Sequence, residues 1–175
     1  MIGYTFAVLA VLASGAPALA QHRHPGGHSP YAGFERRPIK ALSDQQIADL
    51  ENGRGMGLAL AAELNGYPGP LHVLEHADAL GLSPSQTSRV AELYAAMKAE
   101  TIGIGSRLIE QERSLDRLFS SGTITPAALE DAMATIGATQ AKLRGAHLKY
   151  HLSTRNILTP EQTAVYNGLR GYSAR

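Results

Sequence analysis

Three helix starts are written into this chain in nearly the same form: Ser83-Pro84, Thr125-Pro126 and Thr159-Pro160. Each sets a side-chain oxygen where a helix's first free amides need an acceptor. Each follows it with proline at the first helical residue, where the missing N–H costs nothing. After Pro84, apolar residues recur at Val90, Leu93, Tyr94, Met97, Ile104, Leu108, Leu115 and Leu118. After Pro126 the stripe is Leu129, Met133, Ile136, Leu143, His147 and Tyr150. Steps of three, four and seven mark one-sided helices. The first long helix should end near Phe119, before Ser120-Ser121-Gly122, and so short a connection makes the two helices antiparallel neighbours. No segment reads as a strand. The expected fold is all-α: a long antiparallel helical hairpin with short flanking helices, in a hooked four- or five-helix arrangement.

The flanking helices follow from the same signals. Ser43 caps a helix through Gln46, Ile47 and Leu50, and Gly53, Gly55 and Gly57 then loosen the chain. With no strand before them and no Lys-Ser/Thr after them, these glycines are no phosphate loop. Leu58 to Leu64 reads as a short Ala/Leu helix ended by Asn65-Gly66, and Tyr67-Pro68-Gly69-Pro70 as a rigid turn. Pro70 opens a helix that carries His72 and His76 and stops at Gly81. Gly103 and Gly105 weaken the middle of the long helix, and the last helix runs through Val165, Tyr166 and Leu169.

The N-terminal end reads as an export signal over 1–20. Thr5 to Ala13 form an apolar stretch, and Ala18-Leu19-Ala20 is a cleavage pattern that leaves Gln21 first in the mature chain. The alternative is an uncleaved membrane anchor. Both place the remainder outside the cytoplasmic membrane, and the expected location is the periplasm. Residues 21–41 are polar and rich in Pro and Gly, a leader expected to be disordered, whose His22, His24 and His28 either capture metal loosely or are incidental. Residues 42–175 form a single domain. The chain has no cysteine, which excludes disulfides, thiolate metal sites and cysteine nucleophiles together. Formal charge is +1 and the basic residues are scattered, so nucleic-acid binding is not expected.

Four histidines stand in two pairs: His72 with His76, and His147 with His151. On a helix, residues four apart share a face, with Cβ atoms roughly 5–6 Å apart. If the hairpin turns near Gly122 and both helices rise about 1.5 Å per residue, residues whose numbers sum to roughly 245 stand level. His147 is then level with Met97 and Lys98, and His151 with Tyr94. The turn near Gly81 sets His76 level with Arg89 and His72 with Leu93. All four histidines fall at one end of the hairpin, with Glu92 between the two levels and Met97 beside them. Two readings compete. In one, His72, Glu75 and His76 form a solvated face and His147 is a satisfied core residue. In the other, the pairs hold a divalent transition metal, for which neutral imidazole suits zinc, copper, nickel or cobalt. A contribution from the Met97 thioether would favour copper. No HExxH motif, triad or nucleophile is evident, so no enzyme is expected.

Leu42-Ser43-Asp44-Gln45-Gln46, Leu82-Ser83-Pro84-Ser85-Gln86 and Leu158-Thr159-Pro160-Glu161-Gln162 all read L-[ST]-x-x-Q. With the export signal and the all-α pattern, this resembles the Spy/CpxP-like (LTxxQ) periplasmic superfamily, closest to its heavy-metal resistance and sensor branch (CnrX-like and ZraP-like). The resemblance covers roughly Leu42 to Tyr172. It implies a long-helix hairpin and a homodimer with a concave surface. It implies metal sensing or resistance, with His72 and His76 as the first ligand pair, Glu92 as carboxylate, and His147 and His151 as the later pair. The other activity it implies is an ATP-independent periplasmic chaperone that holds unfolding clients. A third role is docking on a membrane-bound sensor or regulator.

Overall fold

The computed structural model describes residues 29–172; the expected export signal at 1–20 and His22, His24 and His28 lie outside the described residues. The chain divides into a unit spanning Met1–Ala32 and a unit spanning Gly33–Arg175. After a 3-10 turn at Phe34–Arg36 come six helices: α1 Asp44–Glu51, α2 Leu60–Glu63, α3 Pro70–Glu75, α4 Pro84–Ser120, α5 Pro126–Arg155 and α6 Pro160–Leu169. No strand occurs among the described residues, and no helix there is long and apolar enough to cross a membrane.

The L-[ST]-x-x-Q segments have a direct physical cause. Ser43, Ser83 and Thr159 each accept the amide of the glutamine three residues on, and that glutamine's side chain accepts the cap residue's own amide. Each is a reciprocal capping box, with two orphan donors satisfied at once. Two of the glutamines also reach across the fold. The Gln86 amide donates to Ile157 O at 2.9 Å and to Gln162 Oε1 at 2.8 Å, tying the start of α4 to the start of α6. Thr125 caps α5 by accepting from Ala128 N.

The hairpin of α4 and α5 is the spine, and α4 alone, with 37 residues, spans roughly 55 Å. Glu100 receives Lys149 Nζ at 2.7 Å and the Tyr150 hydroxyl at 2.8 Å across it. Two apolar clusters lie along this spine. The central one gathers Ile39, Leu50, Ile104, Leu108, Ile136 and Leu143, and the basal one Val73, Leu80, Val90, Leu158 and Tyr166. Toward the turn the expected α5 stripe comes to the surface at Leu129 and Met133, and Phe119 at the end of α4 is exposed as well.

Several local expectations change. Gly105 does not weaken α4 so much as admit α1, since a Cβ there would lie 2.5 Å from the Leu50 carbonyl oxygen. The folded unit also starts before Leu42, inside the leader expected to be disordered. Ile39 is fully buried in the central cluster, and Lys40 donates to Asp116 through both its amide and its ammonium. Helix α3 stops at Glu75 instead of running to Gly81, and turns fill 76–81.

Candidate metal centre

On α4, Val90 belongs to the basal cluster and Ile104 to the central one; Met97 lies between them. On α5, Leu143 and Ala146 belong to the central cluster, and His147 and His151 follow in the next turn. At this junction the apolar packing opens into a pocket of about 470 Å³, lined by His72, Tyr94, Met97, Lys98, His147 and His151 among others. Three of the four expected histidines therefore share one cavity with the expected methionine. The α3 helix and the glycine-rich stretch at Asn52–Gly55 form its other walls.

His147 is the deepest of the three, only 2 % exposed. It continues the α5 stripe inward, as its sequence position requires. Its Nε2 is enclosed with no hydrogen-bond partner, while Nδ1 faces Gly55. Burial, and secondarily the charge that His151 carries when protonated, push the His147 imidazole below the ordinary histidine value of 6.5. The ring is thus kept neutral, the form that can coordinate a cation. An unpartnered buried nitrogen costs about 1–3 kcal/mol, which a core histidine read as purely structural would not incur.

His151 is oriented from behind. Its Nδ1 lies 2.7 Å from the Tyr67 carbonyl, which can only accept, so Nδ1 carries the proton and the neutral ring has its lone pair on Nε2. That Nε2 faces Gly69, where a Cβ would approach to 2.9 Å. His72, on α3, donates from Nδ1 to Glu75 Oε2 at 2.8 Å, which likewise leaves Nε2 free in the neutral ring. Both patterns match the way a metal-binding histidine has its other nitrogen fixed by an oxygen acceptor.

Two expected ligands are elsewhere. His76 is the residue that ends α3; its ring meets Tyr166 edge-on, with centroids 6.4 Å apart, and it does not line the pocket. Because α3 ends at Glu75, the shared face expected for His72 and His76 is lost. Glu92 is exposed on another side of α4, in a shallow groove with Ser153 and Asn156, where it accepts from Ser88. Five residues of helix separate it from Met97, a rotation of about 140°. Among the described residues, no group of three or more histidine, aspartate or glutamate side chains is gathered closely enough to hold a metal ion.

The carboxylate that does approach the site is Glu63, at the end of α2 and only 6 % exposed. Its Oε2 lies 3.6 Å from His151 Nδ1 and accepts the Gly69 amide at 3.1 Å. Its Oε1 accepts the hydroxyls of Tyr166 at 2.5 Å and Tyr172 at 3.2 Å, and Arg170 Nε is 3.7 Å away. Burial, then the bond to Glu63, raise the Tyr166 hydroxyl's pKa, so it stays a donor. Glu63 thus joins the Tyr67–Gly69 turn, His151 and the C-terminal helix from behind the pocket. The sequence signal was slight: one acidic residue in the apolar run Leu58-Ala59-Leu60-Ala61-Ala62-Glu63-Leu64, one helical step from the buried Ala59.

A family model described as heavy-metal resistance matches residues 56–165, well over half of the chain and the whole span from Met56 through both histidine-bearing helices. No curated protein and no solved structure matches. The match takes in the capped hairpin and the pocket at its base, and the chain belongs to the heavy-metal resistance family, within the Spy/CpxP-like helical superfamily.

Proposed function

We propose that this protein binds a transition-metal ion in the pocket at the base of the hairpin, and that this binding serves heavy-metal resistance or sensing. The observation that carries the reading is the buried His147 imidazole with an unpartnered nitrogen, beside His151, whose Nε2 lone pair is left free. His147 and His151 would hold the ion, with His72 and the Met97 thioether as further donors. A bound ion would supply positive charge to lone pairs that the fold leaves unmatched. Membership of a heavy-metal resistance family supports the same conclusion. Glu92 and His76 are left out of the ligand set because of where they lie. The export-signal pattern at 1–20 supports a periplasmic location for this activity, which cell fractionation tests: recovery in the cytosol would refute it.

Titration of zinc, copper, nickel and cobalt against the purified protein tests the binding. Unchanged affinity in a His147→Ala, His151→Ala variant would refute it. A chaperone role draws on a separate observation, the exposed Phe119, Leu129 and Met133 near the hairpin turn. It predicts suppression of client aggregation with His72, His147 and His151 all replaced. Dimerisation, and docking on a membrane-bound sensor or regulator, belong to the same proposal and are read by sedimentation and by pull-down from envelope extracts.

A further inference from the structure

We infer that the pocket selects monovalent copper over divalent ions, an inference that rests on the metal-binding reading above. Three independent features of the lining point there. The first is softness: Met97 is buried and presents the only sulfur in the pocket, in a chain without cysteine. Thioether sulfur beside imidazole favours Cu(I) over harder dications.

The second is charge. No aspartate or glutamate lines the pocket, and its charged residues, Arg54 and Lys98, are both cationic. The desolvation cost of an ion grows as the square of its charge, so a dication is penalised roughly four times as much as a monocation. Here no anionic ligand offsets it. Glu63 does not fill that role: its oxygens are taken by Tyr166, Tyr172 and the Gly69 amide, and it lies on the Nδ1 side of His151.

The third is coordination number. A structural zinc site wants about four donors in a tetrahedron. Among the described residues, no three histidine or carboxylate groups converge. Cu(I) is satisfied by fewer ligands, and two imidazoles one helical turn apart with a thioether lining the same pocket are enough for it. His72, at the more exposed side of the pocket, is then an auxiliary donor.

The test uses the protein with His22, His24 and His28 replaced by alanine, so that the leader contributes nothing. Cu(I) is delivered without oxygen from a chromophoric chelator, and Zn(II), Ni(II) and Co(II) are titrated in parallel. Cu(I) should bind at least tenfold more tightly than Zn(II). X-ray absorption at the copper edge should show a sulfur neighbour, which in this chain is necessarily a methionine. Met97→Leu, a near volume-conserving change that should leave the fold intact, should remove that sulfur. The same variant should weaken Cu(I) by about 10–100-fold, the scale of losing one supporting interaction at a metal site, and Zn(II) by much less. A copper sphere of nitrogen and oxygen alone, Zn(II) binding as tightly as Cu(I), or no effect of Met97→Leu would overturn the copper inference. Metal binding at the pocket would survive those results provided His147→Ala, His151→Ala still abolished uptake. No uptake of any ion would overturn both.

Discussion

Gly69→Ala separates the metal site from the fold. Gly69 has φ −78° and ψ 148°, a conformation that alanine adopts freely, so the backbone does not object. Fewer unfolded conformations would then stabilise the protein by about 0.4–1 kcal/mol. The side chain acts in the other direction. Its Cβ would stand 2.9 Å from both Cε1 and Nε2 of His151. The imidazole would have to retreat by about 0.5 Å to reach ordinary contact, and overpacking of this kind costs about 1–3 kcal/mol. The ring is held by its 2.7 Å bond to Tyr67 O and so cannot rotate away without losing it. The net is a loss of up to about 2.6 kcal/mol in stability. The metal effect should be much larger, because the new methyl covers the nitrogen proposed to coordinate: tenfold weaker binding or more. Urea melts and competition titrations on the same preparation measure the two effects. Gly103→Ala is the control: nothing lies within 4 Å of its Cβ and it sits inside α4. It should stabilise by up to about 1 kcal/mol and leave metal affinity unchanged. If Gly69→Ala binds metal like the native chain, the assignment of His151 Nε2 as a ligand is wrong.

Other perturbations probe the supports. Gly105→Ala drives a methyl to 2.5 Å from the Leu50 carbonyl oxygen, so it should destabilise by about 1–3 kcal/mol, read as a lower urea midpoint with unchanged slope. Glu63→Gln keeps the shape but removes the charge that three donors share; a loss of about 1–3 kcal/mol and a loosened α6, seen as faster amide exchange there, are expected. Native-like exchange in α6 would show that Glu63 is not the tie. The His147 imidazole has its pKa lowered on folding, so below 6.5 the unfolded chain binds the extra proton first. Its contribution to stability is complete above that pH and is lost as pH falls through the lower folded value. Urea melts between pH 7.5 and 5 should show the decline, and His147→Leu should flatten it.

The parts of this molecule legible in its sequence are those with local causes. Ser83-Pro84 and Gln86 carry their cap within four residues, and the same holds at Ser43 and Thr159, so the helix starts were readable before any packing was known. His147 was readable as an inward residue because it continues a stripe. Level arithmetic along the hairpin set Met97 beside His147 and Tyr94 beside His151, and all four do line one pocket. Height is not azimuth, however, and Glu92 shares the level while facing another groove. His76 was lost for a different reason. Helix α3 is too short to reach it, since so few residues barely repay helix nucleation and packing decides where they stop. Glu63 was the least legible: its burial depends on Tyr166, a partner 103 residues away. The close approach at Gly105 is equally non-local, because it is set by the crossing of α1.

Thermal unfolding of the protein with His22, His24 and His28 replaced by alanine, with and without each metal, reads out whether the folded pocket holds an ion. An ion held only by the folded pocket stabilises it by mass action, about 2.7 kcal/mol at a hundredfold excess over the dissociation constant. A clear rise in Tm is expected with at least one of copper, zinc, nickel or cobalt, abolished in the His147→Ala, His151→Ala variant. No rise with any of them, or the same rise in that variant, would contradict it.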